Sequence, residues 1–367
     1  MSILGVLPAV GSGLDTLART GQLKRFFEYV RAWSGEFGHA TYFSYLDWGI
    51  EEQHGRALQR VGRDWAINAW GGSWSPLTAL TRPLRQPDHW RGLTVLRCMS
   101  LLAAVPALTA HWRWGIPFVV SYGADYQAIA RIHGRSALHL RKWRWLQRLV
   151  FRSASVVLVS REELAIRLGR KYPKARIVFH PNWIDGKRFS PAESPVRSRR
   201  VLYVGRLVEE KNLLRLARAV NGIWGARLRC VGEGPLQWAL GGAHPASYRA
   251  DCPGPRDWAE LPEEYRAAAC FVLPSLTEGH PKALLEAIAC GLAVAVSDRV
   301  GVVRHEETGL VFGAEDEVDM RRQITRLLDD PPLAARLGAA ARKDVERYDI
   351  DLLMPREIAL LKEIACA

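Results

Sequence analysis

The sequence has no Cys-x-x-Cys pair, although it carries six cysteines. Cys98, Cys230, Cys252, Cys270, Cys290 and Cys366 are scattered, which gives neither a zinc-ribbon spacing nor a disulfide framework. A chain of 367 residues can build a core without covalent staples, so these thiols are expected to be reduced and structural. Long apolar runs are also missing. The longest, near Met99–Ala110, has about 12 residues, against the ~20 that span a bilayer. The first residues, Met-Ser-Ile-Leu-Gly-Val-Leu, lack the basic stretch of a secretory signal. The expected location is therefore cytoplasmic, with at most peripheral contact with the cytoplasmic face of a membrane. Gly11-Ser12-Gly13 lacks the third glycine of a dinucleotide fingerprint. His305-Glu306-Glu307 lacks the second histidine of a zinc-protease helix. No solenoid-type repeat and no nucleic-acid-binding motif is present.

Acidic residues are scarce in one half only. Residues 1–190 hold 27 Lys/Arg against 12 Asp/Glu, whereas residues 191–367 hold 24 against 26. The net charge of +13 is thus carried by the N-terminal half. A basic face attracts phosphorylated acceptors, anionic lipid or nucleic acid, and an Arg-rich solvated surface is the plainer alternative. The segment Arg141-Lys142-Trp143-Arg144-Trp145 to Arg152 concentrates this charge. At helical spacing Arg141, Arg144, Arg148 and Arg152 form one stripe, and Trp143, Leu146 and Val150 form another. Such a helix suits a membrane interface, or a core with a solvated basic side.

What is present is globular: 48% hydrophobic and 24% charged residues, with 14 tryptophans. Ile3–Val10 reads as a buried strand, and Leu14–Trp33 as a helix after the glycine turn. Residues 40–90 give no clean period. Leu93–Trp112 reads as a helix, Pro117–Ser121 as a strand, Arg135–Arg152 as a long helix and Ser155–Ser160 as a strand. The turn His180-Pro181-Asn182-Trp183-Ile184-Asp185-Gly186 and the polar stretch Pro191–Arg200 mark a boundary. Strands are expected at Arg200–Val204, Leu228–Val231, Cys270–Leu273 and Leu292–Ser297, alternating with helices. That alternation predicts an α/β chain with parallel sheets. The expected division is 1–188 and 189–350, with a final helix over 351–367.

Two constellations carry chemistry. Glu278-Gly279-His280-Pro281-Lys282-Ala283-Leu284-Leu285-Glu286 runs from a loop into a helix. Unpaired backbone N–H groups and the helix dipole at that start suit a diphosphate. Glu278 can hold a sugar hydroxyl and Glu286 can accept from ribose hydroxyls. The alternative is a dipole-favoured acid and a solvated glutamate. Gly205-Arg206-Leu207 with Lys211 places two cations at the carboxyl end of a strand, where open α/β sheets bind ligands. Arg206 can grip phosphate with two bonds and Lys211 can neutralise a leaving group, or both can pair with Glu209 and Glu210.

Together Val204-Gly205-Arg206…Glu210-Lys211-Asn212, Val231-Gly232-Glu233-Gly234-Pro235 and Leu273-Pro274-Ser275…Glu278…Glu286-Ala287…Cys290-Gly291 resemble the retaining GT-B-fold glycosyltransferases of family 4, the group 1 type. Pro181-Asn182-Trp183-Ile184-Asp185 and Gly301…Thr308-Gly309-Leu310 add to the likeness, which covers residues 115–365 well and 1–114 loosely. The resemblance implies a GT-B architecture, two Rossmann-like domains with a donor/acceptor cleft between them. It implies an N-terminal acceptor domain, a C-terminal nucleotide-sugar domain and a last helix packed back on the first.

It further implies a hexosyltransferase that moves a sugar with retention from a UDP- or GDP-sugar to a glycan, lipid-linked or small-molecule acceptor, in cell-envelope or polysaccharide synthesis. No cofactor or metal is expected. Arg206, Lys211 and Glu278 are the implied catalytic residues. Gly13, Tyr122, Asp125, Gly205, Gly234, Pro235, His280, Pro281, Lys282, Ala283 and Glu286 are the implied donor-binding residues. The base would lie near Gly232–Pro235 and Cys252–Arg256. The expected partners are a nucleotide-sugar donor, such an acceptor and an anionic membrane surface met by the basic half, with no nucleic acid. Tyr122 stands where family members often carry histidine, and a tyrosine is not a base at neutral pH. Asp349-Ile350-Asp351 resembles a metal-binding acid pair, but its place after the last long helices argues against that role. The rival readings are a nucleotide-sugar epimerase on the same fold and a non-catalytic sugar-nucleotide or glycan binder.

Overall fold

The computed structural model describes residues 2–366 apart from 11–12, 45–47, 63, 70–74, 124–125, 133, 193–197, 242–247 and 249. The chain divides into two compact units, Met1–Pro181 with Leu353–Ala367, and Asn182–Leu352. Each is built on one parallel sheet.

The first unit holds seven strands: β1 (Ile3–Leu7), β2 (His39–Ser44), β3 (Trp65–Ala69), β4 (Val95–Cys98), β5 (Phe118–Tyr122), β6 (Val156–Val159) and β7 (Ile177–Phe179). Their spatial order is β3-β2-β1-β4-β5-β6-β7. The helices are α1 (Leu14–Arg19), α2 (Leu23–Trp33), α3 (Trp48–Val61), α4 (Pro76–Arg85), α5 (Ala104–Trp114), α6 (Tyr126–Ile132), α7 (Ala137–Ser153) and α8 (Glu162–Lys171). The second unit holds β8 (Arg200–Val204), β9 (Arg227–Val231), β10 (Asp251–Gly254), β11 (Cys270–Leu273), β12 (Val294–Ser297) and β13 (Leu310–Phe312), in the order β10-β9-β8-β11-β12-β13. Its helices are α9 (Leu213–Asn221), α10 (Gln237–Gly241), α11 (Leu261–Arg266), α12 (Lys282–Ala289), α13 (Glu317–Asp329) and α14 (Pro331–Val345); α15 (Ile350–Cys366) ends the chain.

The central strands explain themselves. Val-Val-Leu-Val of β6, Cys-Phe-Val-Leu of β11 and Val-Ala-Val-Ser of β12 are buried at every position. Helices cover both faces of a parallel sheet, so such strands have no polar side to show. The order of each sheet reverses beside its first strand, which makes a switch point at the carboxyl ends.

Three expectations are corrected. Leu93–Trp112 is not one helix: Val95–Cys98 is β4, lying between β1 and β5, and only Ala104–Trp114 is helical. A short apolar run fits a doubly buried strand as well as a helix, and its place in the sheet decides. Leu14–Trp33 is two helices, parted at Gly21, whose φ of 72° no continuous helix allows. Residues 182–188, expected in the first half, belong to the second unit. Trp183 and Phe189 lie against Trp258, and Ile184 bridges to Asp349, which draws this segment to that core.

A buried ion pair ties α15 to the first unit's sheet. Arg97 Nε on β4 donates to Glu357 Oε1 at 2.6 Å, and both side chains are almost fully buried. Arg97 also donates to Ser121 Oγ and to the Cys98 carbonyl, and His180 Nε2 lies 2.9 Å from Glu357 Oε2. Burial alone would raise the Glu357 carboxyl. The Arg97 charge and the His180 bond outweigh it and hold it at about 2. The depressed value makes the stability contributed by Glu357 complete above pH 4.5 and lost as pH falls towards 2. Removing one member leaves the other charge buried alone. Glu357→Ala is expected to cost about 3–5 kcal/mol in chemical denaturation, and Arg97→Met with Glu357→Leu to cost clearly less.

Candidate active site

The site grows from two backbone loops that pass almost through each other. After β8, Gly205-Arg206-Leu207 runs beside Gly232-Glu233-Gly234, which follows β9. The Gly205 N–H donates to the Val231 carbonyl at 2.9 Å, and the Leu207 N–H donates to the Glu233 carbonyl at 2.8 Å. In return the Leu207 carbonyl accepts from the Leu236 N–H at 3.0 Å. A Cβ on Gly232 would lie 2.0 Å from the Gly205 oxygen, and one on Gly234 2.4 Å from the Leu207 oxygen. Both glycines also have positive φ, 138° and 155°. The pattern that the sequence shows as Gly-x-Gly-Pro is thus a requirement of backbone crossing backbone.

This crossing fixes Arg206. The buried Tyr203 hydroxyl donates to the Arg206 carbonyl at 2.9 Å. The guanidinium is left 70% exposed, 3.3 Å from the buried Glu210 carboxylate. Lys211 behaves differently. It ends a short 3-10 turn and pairs with Glu278, and both side chains are largely buried. Ser275 Oγ donates to the same Glu278 oxygen at 2.8 Å. Asn212, in a left-handed conformation at the start of α9, donates from Nδ2 to the carbonyls of Pro274 and Ala314. The loops after β8, β11 and β13 are therefore knotted together by side chain to backbone bonds. Ser275 and Asn212 as anchors of this knot were not read from the sequence as site residues. The signal for Ser275 is its spacing, three residues before Glu278.

Glu278 leads through Gly279 and His280 into α12. Pro281 is the residue before the first turn and offers no side-chain cap, and the first turn holds no acid. A helix start of this kind carries the positive end of the helix dipole, which favours an anion. Lys282 is exposed beside it. Glu286, one turn further on, is buried: Oε1 accepts from Trp258 Nε1 at 3.2 Å and Oε2 from the Tyr265 hydroxyl at 2.9 Å. A carboxylate has about four acceptor sites, so it can serve more than one donor at once. Trp258 and Tyr265, which aim it, carried no sequence signal beyond being aromatic.

His280 is not at an open surface. It is 5% exposed, edge-on to Tyr348, and its Nδ1 accepts from the Asn182 N–H at 3.1 Å. Asn182 Nδ2 also donates to the His280 carbonyl. Its side chain therefore locks the Glu278–Lys282 loop to the turn at Asn182.

Of the residues expected in the first half, Gly13 precedes α1, and its carbonyl accepts from the Leu17 N–H at 2.9 Å. Tyr122 is 2% exposed, packed edge-on against Phe151 with its hydroxyl on Gln147. An aromatic ring at the end of a doubly buried strand gains more from that core than from solvent. Asp125, Gly11 and Ser12 lie outside the described residues. The acid pair near the end is occupied by backbone and a lysine: Asp349 accepts from the Gly186 and Asp351 N–H groups, and Asp351 pairs with Lys187. Among the described residues no cluster of three His, Cys, Asp or Glu is placed to hold a metal.

Two Rossmann-like parallel-sheet units of this kind define the GT-B class of transferase folds. Solved structures agree: a sucrose-phosphate synthase from Thermosynechococcus elongatus superposes with a TM-score of 0.80 over 99% of both chains at 18% identity. An Anabaena protein solved in complex with UDP gives 0.75 over 99% of this chain and 100% of that one, at 16% identity. Residues 8–183 match the family profile described as "Glycosyl transferase 4-like domain", and residues 198–330 the one described as "Glycosyl transferases group 1". The two matches together span most of the chain, and it belongs to the group 1 glycosyltransferases of family 4. A GDP-mannose-dependent alpha-mannosyltransferase of Mycobacterium tuberculosis is 32% identical over 254 residues, 65% of this chain and 64% of that protein. Matches to several other curated relatives span less than a third of those proteins' length.

The His280 ring supplies a pH test. Burial, and then the charge of Arg347, lower its value from 6.5 to about 4, so the ring is neutral in the folded chain near pH 7. The unfolded chain takes up a proton first, so stability present above pH 6.5 is lost as pH falls towards 4. The His280→Asn variant is expected to lose up to about 3 kcal/mol less than wild type between pH 7 and pH 4. Chemical denaturation at both pH values measures it, and equal losses would refute the buried neutral ring.

Proposed function

We propose that this chain is a retaining, metal-independent hexosyltransferase that uses a UDP- or GDP-sugar. The acceptor is a glycan, a lipid-linked glycan or a small molecule, in cell-envelope or polysaccharide synthesis. The chain works at the surface of an anionic membrane through its basic first unit. The observation that carries this reading is the Lys211–Glu278–Ser275 cluster beside Arg206 and the uncapped start of α12.

Departure of a nucleoside diphosphate places negative charge on the bridging and terminal phosphate oxygens. Fixed positive charge and oriented amides at that point lower the barrier, and this is usually the largest single catalytic term. Arg206 has the exposure to reach a diphosphate and the fork to bind two of its oxygens. The first-turn amides of α12 add a dipole of the right sign. Two cations and a helix end do this work without a metal ion. Glu278 accepts from Lys211 and Ser275, which suits a fixed anchor for hydroxyls of the transferred sugar better than a general base. Glu286, aimed by Trp258 and Tyr265, takes the ribose. The names of similar proteins support either base: one relative is GDP-mannose-dependent, and one structural neighbour holds UDP.

The test is a thermal-shift screen with UDP, GDP, ADP, CDP and dTDP, followed by turnover with the matching sugar donors. A single nucleotide at a hundredfold excess over its dissociation constant should stabilise the fold by about 2.7 kcal/mol. Arg206→Ala with Lys211→Ala should abolish that shift, and Arg206→Ala alone should lower kcat about 100- to 1000-fold. Activity should survive a chelator, and the product should keep the donor's anomeric configuration. Donor consumed without acceptor would favour an epimerase. Binding without turnover on any acceptor would favour a non-catalytic binder, and no shift with any nucleotide would sink the donor site.

A further inference from the structure

Helix α7 turns one of its two tryptophans, Trp145, the wrong way for a core helix. Gln147, Val150 and Phe151 face the core of the first unit. Leu138 and Trp145, seven residues apart and so on one side, are 62% and 64% exposed. Arg141, Lys142, Arg148 and Arg152 share that outward side, with Arg144 at its margin. The usual surface helix directs its apolar stripe inward and leaves charge outside. Here apolar and cationic groups are interleaved on the outer face.

The same mixture continues on the neighbouring helices. α4 packs on α5, and α5 packs on α7. Leu77 and Leu84 on α4 are 72% and 53% exposed beside Arg85, and Trp112 on α5 is 57% exposed beside Arg113. None of the three helices contains an aspartate or glutamate. From His89 to Arg161 the chain has eleven Lys/Arg and one acid, Asp125. Among the described residues no carboxylate pairs with Arg141, Lys142, Arg144 or Arg152.

We propose that the outer faces of α4, α5 and α7 form a docking surface for an anionic lipid bilayer. α7 lies along the headgroups, with Leu138 and Trp145 at the acyl boundary and Arg141, Lys142, Arg148 and Arg152 on lipid phosphates. Nucleic acid would satisfy the cations, but outward Leu77, Leu84 and Leu138 gain nothing from a phosphate backbone. A bilayer interface satisfies both kinds of side chain, and an indole suits the boundary between them. The contact is peripheral, since no described helix is long and apolar enough to cross a membrane. The inference makes the membrane contact proposed above specific, and it does not depend on the transfer chemistry.

The experiment is flotation of the full chain with vesicles of phosphatidylcholine alone and of phosphatidylcholine with phosphatidylglycerol. Wild type should float only with the second, and added salt should release it. Arg141→Gln and Lys142→Gln should each weaken partition about fivefold. Trp145→Ala with Leu138→Ala should weaken it further at unchanged charge. Thermal melting followed by circular dichroism should match wild type in every variant, which separates lost docking from lost folding. Equal flotation with both vesicles, or variants that float like wild type, would overturn the proposal. So would binding of a DNA or RNA duplex through the same residues without binding to vesicles.

Discussion

Everything at the candidate site depends on backbone approaching backbone where β8 and β9 end. Two loops exchange main-chain hydrogen bonds there at 2.8 to 3.0 Å, a separation with no room for a Cβ on Gly232 or Gly234. That contact spends the polar groups of the Gly205–Leu207 loop on its neighbour, so the loop is stiff before any ligand arrives. Arg206 therefore leaves the carboxyl end of β8 from a fixed root. The cost of ordering such a loop on binding would otherwise be subtracted from affinity.

The second half was legible because its constraints are local. A glycine forced by a crossing, a helix start after proline and two carboxylates eight residues apart each leave a mark at fixed spacing. The central strands were legible for the same reason, as short apolar runs between turns. The first half was harder. Val95–Cys98 reads as part of a helix because a doubly buried strand shows no period of two, and only its neighbours β1 and β5 reveal it. β10 was missed because Asp251-Cys252-Pro253-Gly254 has poor strand propensity, and its pairing with β9 overrides that. Tyr122 shows the same limit: spacing places it at the end of a strand, and only its packing on Phe151 and Gln147 shows that its ring fills a core.

Side-chain direction was the other blind spot. Helical spacing put arginines on one stripe of α7 and Trp143, Leu146 and Val150 on another, and both stripes are real. Spacing alone did not say that Trp145 and Leu138 ride with the arginines, because large apolar residues fall on both sides of the helix. Only the packing of Val150 and Phe151 settles which side is out. An exposed large apolar side chain is unremarkable singly. It becomes informative when several share a face that lacks any acid.

The two cations of the site are not equivalent, and this bears on how such a centre would work under the proposed reading. Lys211 is largely buried and paired with Glu278, so under that reading its charge acts at short range, on a diphosphate already seated. The pair also holds the Glu278 carboxylate in one position, together with Ser275. Arg206 is mostly in solvent, and its partner Glu210 is buried behind it. Its field extends outward and is screened by salt, which fits first capture of an anion. Positioning therefore falls to the buried pair and capture to the exposed arginine. A lysine in place of Arg206 would keep the charge yet lose the two-pronged grip, so it would weaken alignment of the diphosphate more than attraction.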